Sequence, residues 1–217
     1  MLFMKKSILI FILSIAVIPS LAQPERGFQI WNKNEIKVQA VKNIFIDGAV
    51  KVHYSPERSA ADMKYAELFL FHNPKKWFEY GGGFRVAKAN LYPGWFQENR
   101  TMLIASFVGD YRKISFSFSN RFEYWSFENH FFHFRYKQDF KIKFPQLASL
   151  GMRFYLAEES FYKLNEIGLH LARFYGGLSA IQQEHFNLKM YYALEKYKLI
   201  EFWKTSDIVG LNMSFIF

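Results

Sequence analysis

The sequence predicts an all-β protein: a closed antiparallel up-and-down transmembrane β-barrel of about 12 strands, with 10 as the alternative. Three observations predict it. The chain opens on a segment of export type, apolar and charged residues then alternate one by one, and the last residues alternate back from a terminal Phe217.

The first element is the leader. Lys5 and Lys6 precede an apolar run, Ser7 to Ile18, that is too short to span a bilayer comfortably as a helix. Ser20-Leu21-Ala22 supplies the small residues that a signal peptidase reads, so cleavage is expected between Ala22 and Gln23. The alternative is an uncleaved anchor helix, against which the short apolar run argues. Two regions follow: 1–22, a cleaved signal peptide, and 23–217, the barrel.

Composition narrows the class. There is no Cys, which excludes a lipid anchor on an N-terminal Cys, a disulfide framework and thiolate metal sites. The net charge of +9 is spread along the chain without a long run of like charges, so nothing marks a nucleic-acid arm. The chain has 26 Phe, 13 Tyr and 5 Trp, yet 22% of its residues are charged. No run after Ile18 is apolar enough for a membrane-spanning helix, so the aromatic bulk must be carried by strands.

Two segments show the alternation best. From Ile114 to Tyr124, Ile114, Phe116, Phe118, Asn120, Phe122 and Tyr124 alternate with Ser115, Ser117, Ser119, Arg121 and Glu123. From Phe132 to Lys143, Phe132, Phe134, Tyr136, Gln138, Phe140 and Ile142 alternate with His133, Arg135, Lys137, Asp139, Lys141 and Lys143. A period of two puts successive side chains on opposite faces of a strand. Weaker versions predict strands near 27–40, 43–54, 63–72, 77–89, 97–107, 113–126, 131–144, 147–157, 165–181, 187–203 and 207–217. Turn chemistry at Asn73-Pro74, Gly109-Asp110, Phe144-Pro145 and Ser206-Asp207 separates them. Tight connections are expected to alternate with longer ones at 55–62, 90–96 and 158–164, as in bacterial barrels. Eleven segments is an odd number, and bacterial single-chain barrels are even. A fused pair within 165–203, or an N-terminal segment that does not pair, would restore parity; twelve is therefore expected. With a periplasmic C-terminus, the segment at 27–40 would begin on the outer side.

Alternation alone also suits a soluble periplasmic β-sandwich that binds an apolar ligand. Three features favour the membrane. Val209, Leu211, Met213, Phe215 and Phe217 form an alternating terminal strand of the kind the barrel assembly machinery reads. Small residues (Ser115, Ser117, Ser119, Gly81, Gly83, Gly151, Gly168) fall on the polar face, where a crowded lumen needs room. Aromatics gather near strand ends (Trp77, Phe78 and Tyr80; Tyr124 and Trp125; Tyr191 and Tyr192; Phe202 and Trp203), as at membrane interfaces. On the two clearest strands only Asn120 and Gln138 are polar on the apolar face, and an Arg or Lys there would cost about 2–4 kcal/mol at mid-bilayer.

Short motifs carry a family resemblance. Glu98-Asn99-Arg100, Arg121-Phe122-Glu123, the His133 to Arg135 region, Glu159-Ser160-Phe161 (read as a loop) and Arg173-Phe174-Tyr175-Gly176-Gly177-Leu178 occur in this order. The chain resembles a domain-of-unknown-function family of outer-membrane barrels over nearly all of 23–217. The resemblance implies a barrel and an outer-membrane address, and no activity.

The candidate site is a charged network lining the lumen: Glu98, Arg100, Arg121, Glu123, His133, Arg135, Lys137 and Asp139. On neighbouring strands these pair across the sheet, either as an anion-preferring pore or as a salt-bridged plug. Interleaving of both signs favours the plug. The second reading is a lipid-modifying barrel enzyme, a hydrolase or acyltransferase, with Ser126, Glu128, His130 and His133 at a rim; no Gly-x-Ser-x-Gly elbow supports it. No metal site is expected, since His130 and His133 would lie on opposite strand faces. Gly81-Gly82-Gly83 lies within a strand and marks close packing, not a phosphate loop. No cofactor is implied. The expected partners are outer-membrane lipid and, during biogenesis, the barrel assembly machinery.

Overall fold

The computed structural model of the chain describes residues 27–58, 60–91, 94–128, 132–147, 151–165, 168–199 and 202–217. The leader at 1–22 lies outside them, as does His130. Eleven strands follow in chain order: β1 (Gly27–Val41), β2 (Ile44–Ser55), β3 (Ala60–Lys75), β4 (Phe78–Leu91), β5 (Gly94–Tyr111), β6 (Ile114–Phe127), β7 (Phe132–Lys143), β8 (Arg153–Lys163), β9 (Gly168–Gln182), β10 (Phe186–Leu199) and β11 (Phe202–Ile216). Each pairs with the next, and β1 also pairs with β11, so the sheet closes into a barrel. Closure leaves no edge strand to hydrogen-bond elsewhere.

The expected count of twelve, with ten as the alternative, is corrected to eleven. Each segment read as a strand is one strand. An odd number brings the first and last strands together running the same way, so β1 and β11 pair in parallel, from Gly27 opposite Ser206 to Lys37 opposite Ile216. Every other neighbouring pair is antiparallel. A parallel ladder satisfies the backbone groups of both strands, so an even number is not needed for closure. The C-terminus is tied into this seam: Phe217 N–H donates to the Lys37 carbonyl, and Gln39 N–H to that of Phe217. β1 consequently begins at the end of the barrel opposite the C-terminus.

Some boundaries also move. Asn73-Pro74, Gly109-Asp110 and Ser206-Asp207 lie inside strands; the chain reverses at 42–43, 76–77 and 112–113. Asn43 (φ 64°) and Arg112 (φ 56°) hold the left-handed conformation that such tight hairpins require. The segment read as a strand at 147–157 is shifted to Arg153–Lys163, and Glu159-Ser160-Phe161 lies within β8, not in a loop. The expected alternation of short and long connections is absent, because the longest, 144–152, shares an end with the tight turns.

The two faces of the sheet differ sharply. Leu68, Leu70, Leu103, Leu156, Phe118, Phe122, Phe132, Phe140 and Phe174 point outward and are exposed, Leu103 by 64%. Charged residues point inward and are buried: Glu67, Arg85, Glu98, Arg100, Glu123, Arg135, Lys137 and Glu195. Not every aromatic faces out. Trp31, Tyr155, Tyr191, Ala193 and Ile208 form one interior cluster, and Phe69, Phe71 and Met102 another.

Four of these inward rings lie over a glycine directly across the ladder: Phe69 on Gly83, Phe71 on Gly81, Tyr155 on Gly177 and Tyr191 on Gly210. A Cβ on any of these glycines would collide with the ring. A small residue opposite a large one lets the ring lie against the wall and leaves the axis to longer charged side chains. The small-residue expectation thus holds at Gly81 and Gly83. Gly151 instead occupies a turn with positive φ, and Gly168 begins β9 with no neighbour near its Cβ position.

Candidate functional site

Strand alternation delivers the eight sequence-predicted residues to the interior: Glu98 and Arg100 on β5, Arg121 and Glu123 on β6, and His133, Arg135, Lys137 and Asp139 on β7. Register places Glu123 opposite Arg135, and Arg121 opposite Lys137. Glu123 is wholly buried. Its Oε2 accepts from Trp125 Nε1 at 2.6 Å and from Arg135 Nε at 2.8 Å. Its Oε1 pairs with Arg121 Nη2 at 2.5 Å. Arg100 pairs with Glu98, and the guanidinium groups of Arg100 and Arg135 stack on the Trp125 ring at 3.5 and 4.1 Å from its centroid. His133 packs on Trp125 and Phe127.

The network extends beyond these eight. Lys137 Nζ lies 2.5 Å from Glu159 and 3.5 Å from Asp139. Glu159 also accepts from Tyr175 at 2.6 Å, and Arg173 bridges it to Glu195 at 3.3 and 2.5 Å. Across the barrel, Lys33 reaches Glu35 at 2.6 Å and Glu67 at 3.3 Å, while Arg85 holds Glu67 at 2.5 Å. Together these pairs form a belt at mid-height that draws on nearly every strand. Sequence reasoning missed Glu67, Arg85, Glu195 and Lys33. Around Glu67 both strand faces are apolar (Ala66, Leu68 and Leu70; Phe69 and Phe71), so alternation alone could not say which faced in. Arg173 and Glu159 did carry a signal, in the motifs quoted above.

The belt side chains line the interior space. A cavity of about 710 Å³ is lined by residues including Trp31, Lys51, His53, Arg100, Arg173 and Tyr197. A second, of about 340 Å³, lies toward the tight-turn end and is lined by Phe69, Phe71, Ser117 and Lys141 among others. The two share Lys33, Glu67, Arg121, Lys137, Asp139 and Lys141. Arg121 and Arg135 both line the larger cavity, and both are drawn onto Glu123.

Two other groupings fail to assemble. Ser126 follows the outward parity of Tyr124, while His133 points inward with Arg135, so this Ser and His lie on opposite faces of the wall. Among the described residues no group of three or more His, Asp or Glu side chains is placed to hold a metal ion.

The profile of a protein family described as Protein of unknown function (DUF2490) matches residues 28–200. The chain belongs to this family. The match spans β1 through β10, and so takes in all eight predicted interior residues and the Arg173 to Leu178 motif. No curated protein and no solved structure matches the chain significantly.

Proposed function

We propose that the protein is a small outer-membrane β-barrel that serves as a closed structural scaffold and not as an open diffusion pore. The observation that carries this reading is the inversion of the usual soluble arrangement. A water-soluble barrel of this size would bury its Phe and Leu side chains and solvate its charges. Here the apolar side chains form the outside of a closed cylinder and the charges fill its axis. Strands of 11 to 18 residues are long enough for the hydrocarbon layer, which needs about 9–11. Exposed aromatics rim both ends: Trp95, Phe132, Phe202 and Trp203 at one, Trp77, Tyr111, Phe144 and Phe217 at the other.

In this reading residues 1–22 are a cleaved export leader. The outward row Val209, Leu211, Met213, Phe215 and Phe217 is what the assembly machinery reads before β11 closes on β1. The paired belt argues against bulk conduction, because a conducting route needs excess charge along a water-filled path. A soluble apolar-ligand binder is disfavoured by the charged interior, and a lipid-modifying enzyme by the separation of Ser126 from His133.

Fractionation of cells producing the full chain tests the address. The protein should remain with washed outer membranes, require detergent for extraction and migrate faster on gels before boiling than after. Recovery in the soluble periplasm would overturn the proposal. Reconstituted in planar bilayers, it should give no stable porin-sized conductance steps; regular large steps would replace the scaffold with a pore.

A further inference from the structure

Given that membrane reading, on which this inference rests, polar side chains stand on the outer face in two sectors: the pairs Asn32–Asn34 on β1 and Tyr192–Asp207 on β10–β11, each bonded within itself, and a larger group on β6–β8. At mid-strand on β6–β8, Asn120 lies directly opposite Gln138, and Gln138 opposite Ser160. Tyr136 donates its hydroxyl to Asn120 Oδ1, and Gln138 Nε2 donates to the Tyr136 oxygen at 3.3 Å. On β8, Ser160 donates to Glu158 Oε1. Glu158 shares the outward parity of Phe154 and Leu156, and its carboxylate faces away from the ion-pair belt. Around the cluster stand Phe118, Phe122, Phe140, Leu156 and Phe174, all exposed. The opposite side of the barrel presents Val50, Leu68, Phe84 and Leu103 at its surface, with Asn34 across the ladder from Val50.

The internal bonds leave specific groups over. Asn120 keeps its amide N–H donors, Gln138 keeps its carbonyl oxygen, and Glu158 keeps acceptor capacity. In hydrocarbon such groups are costly without partners. Their order across the sheet makes the cluster complementary to itself. A two-fold axis along the barrel direction, passing by β7, sets β6 of one copy against β8 of the other. Asn120 donors then meet Glu158 and Ser160 acceptors twice, and the two Gln138 amides meet on the axis, where each can donate and accept. This is the same-patch contact that a symmetric dimer uses.

We infer that the β6–β8 face, centred on Gln138, is the interface through which two copies of this chain associate side by side in the membrane. The apolar rim completes the seal against lipid, and the polar centre sets register.

Because the chain has no Cys, single thiols report the contact directly. In native outer membranes, Gln138→Cys should oxidise to a covalent dimer, while Val50→Cys on the opposite face should remain monomeric. In mild detergent the wild-type mass should be that of two chains. Asn120→Leu/Gln138→Leu/Glu158→Leu should shift it to one chain while keeping heat-modifiable mobility, which shows that the barrel itself is intact. A monomeric wild type, or crosslinking at position 138 no stronger than at 50, overturns the interface and leaves the barrel proposal standing. Recovery of the protein in the soluble fraction overturns both.

Discussion

Glu123→Ala loses about 3–5 kcal/mol of unfolding free energy, the range for removing one partner from a buried ion pair. The carboxylate is fully buried and is shared by Arg121, Arg135 and Trp125. Removing it leaves two guanidinium groups close together without a counter-charge, next to Arg100 on the same Trp125 ring. Replacing the triad together, as Arg121→Met/Glu123→Leu/Arg135→Met, should cost less than the single change. Apolar groups of similar volume need no partner, and intact buried pairs add little net stability. Urea titration of the refolded protein in lipid vesicles measures both. A Glu123→Ala variant within 1 kcal/mol of wild type, on the scale of an exposed pair, would mean that this carboxylate is not the node of the belt.

The second large effect lies at the ring-on-glycine pairs. Gly210→Val should cost about 1–3 kcal/mol, because the added methyl groups occupy the place of the Tyr191 ring. Tyr191→Ala in the same chain should recover much of that loss, giving a favourable coupling in a double-mutant cycle. Gly83→Val should behave differently. There the new Cβ meets both the Phe69 ring and, at 2.6 Å, the Leu68 carbonyl oxygen. Removing the ring with Phe69→Ala frees only one of the two obstacles, so recovery should be partial. Equal recovery at both sites would show that the wall yields at Leu68 and that only the rings set the packing.

How much of this was legible beforehand depended on local chemistry. β6 and β7 were readable nearly to the residue because each has one aromatic and one polar face, and only a two-residue period produces that pattern. The inward direction of Arg121, Glu123 and Arg135 follows from it. β8 was misplaced because Leu147 and Met152 make a bridge of their own, which lends strand character to a connecting segment. The β10–β11 boundary was missed because Ser206-Asp207 has turn composition. In the barrel Ser206 is buried against the interior, while the Asp207 carboxylate accepts from Tyr192 within the sheet. The parallel seam leaves no local trace in β1 or β11. It follows only from the total count, and parity had argued against that count.

Aromatic residues were the least transparent. Their place near strand ends suggests interface roles for Trp125 and Tyr191, yet both point inward, one under two arginines and the other over Gly210. A ring can serve either face of such a wall. The distinguishing feature is the small residue across the ladder, which becomes visible only once the register is known.

One labelling experiment addresses the outward face directly. Leu103→Cys, at a well-exposed outward position on β5, gives a single thiol in a chain that otherwise has none. In intact outer membranes a water-soluble maleimide should fail to label it and should label Trp77→Cys at the tight-turn rim once the membrane is opened. Labelling of Leu103→Cys as fast as Trp77→Cys would place that face in water and contradict the lipid-facing barrel.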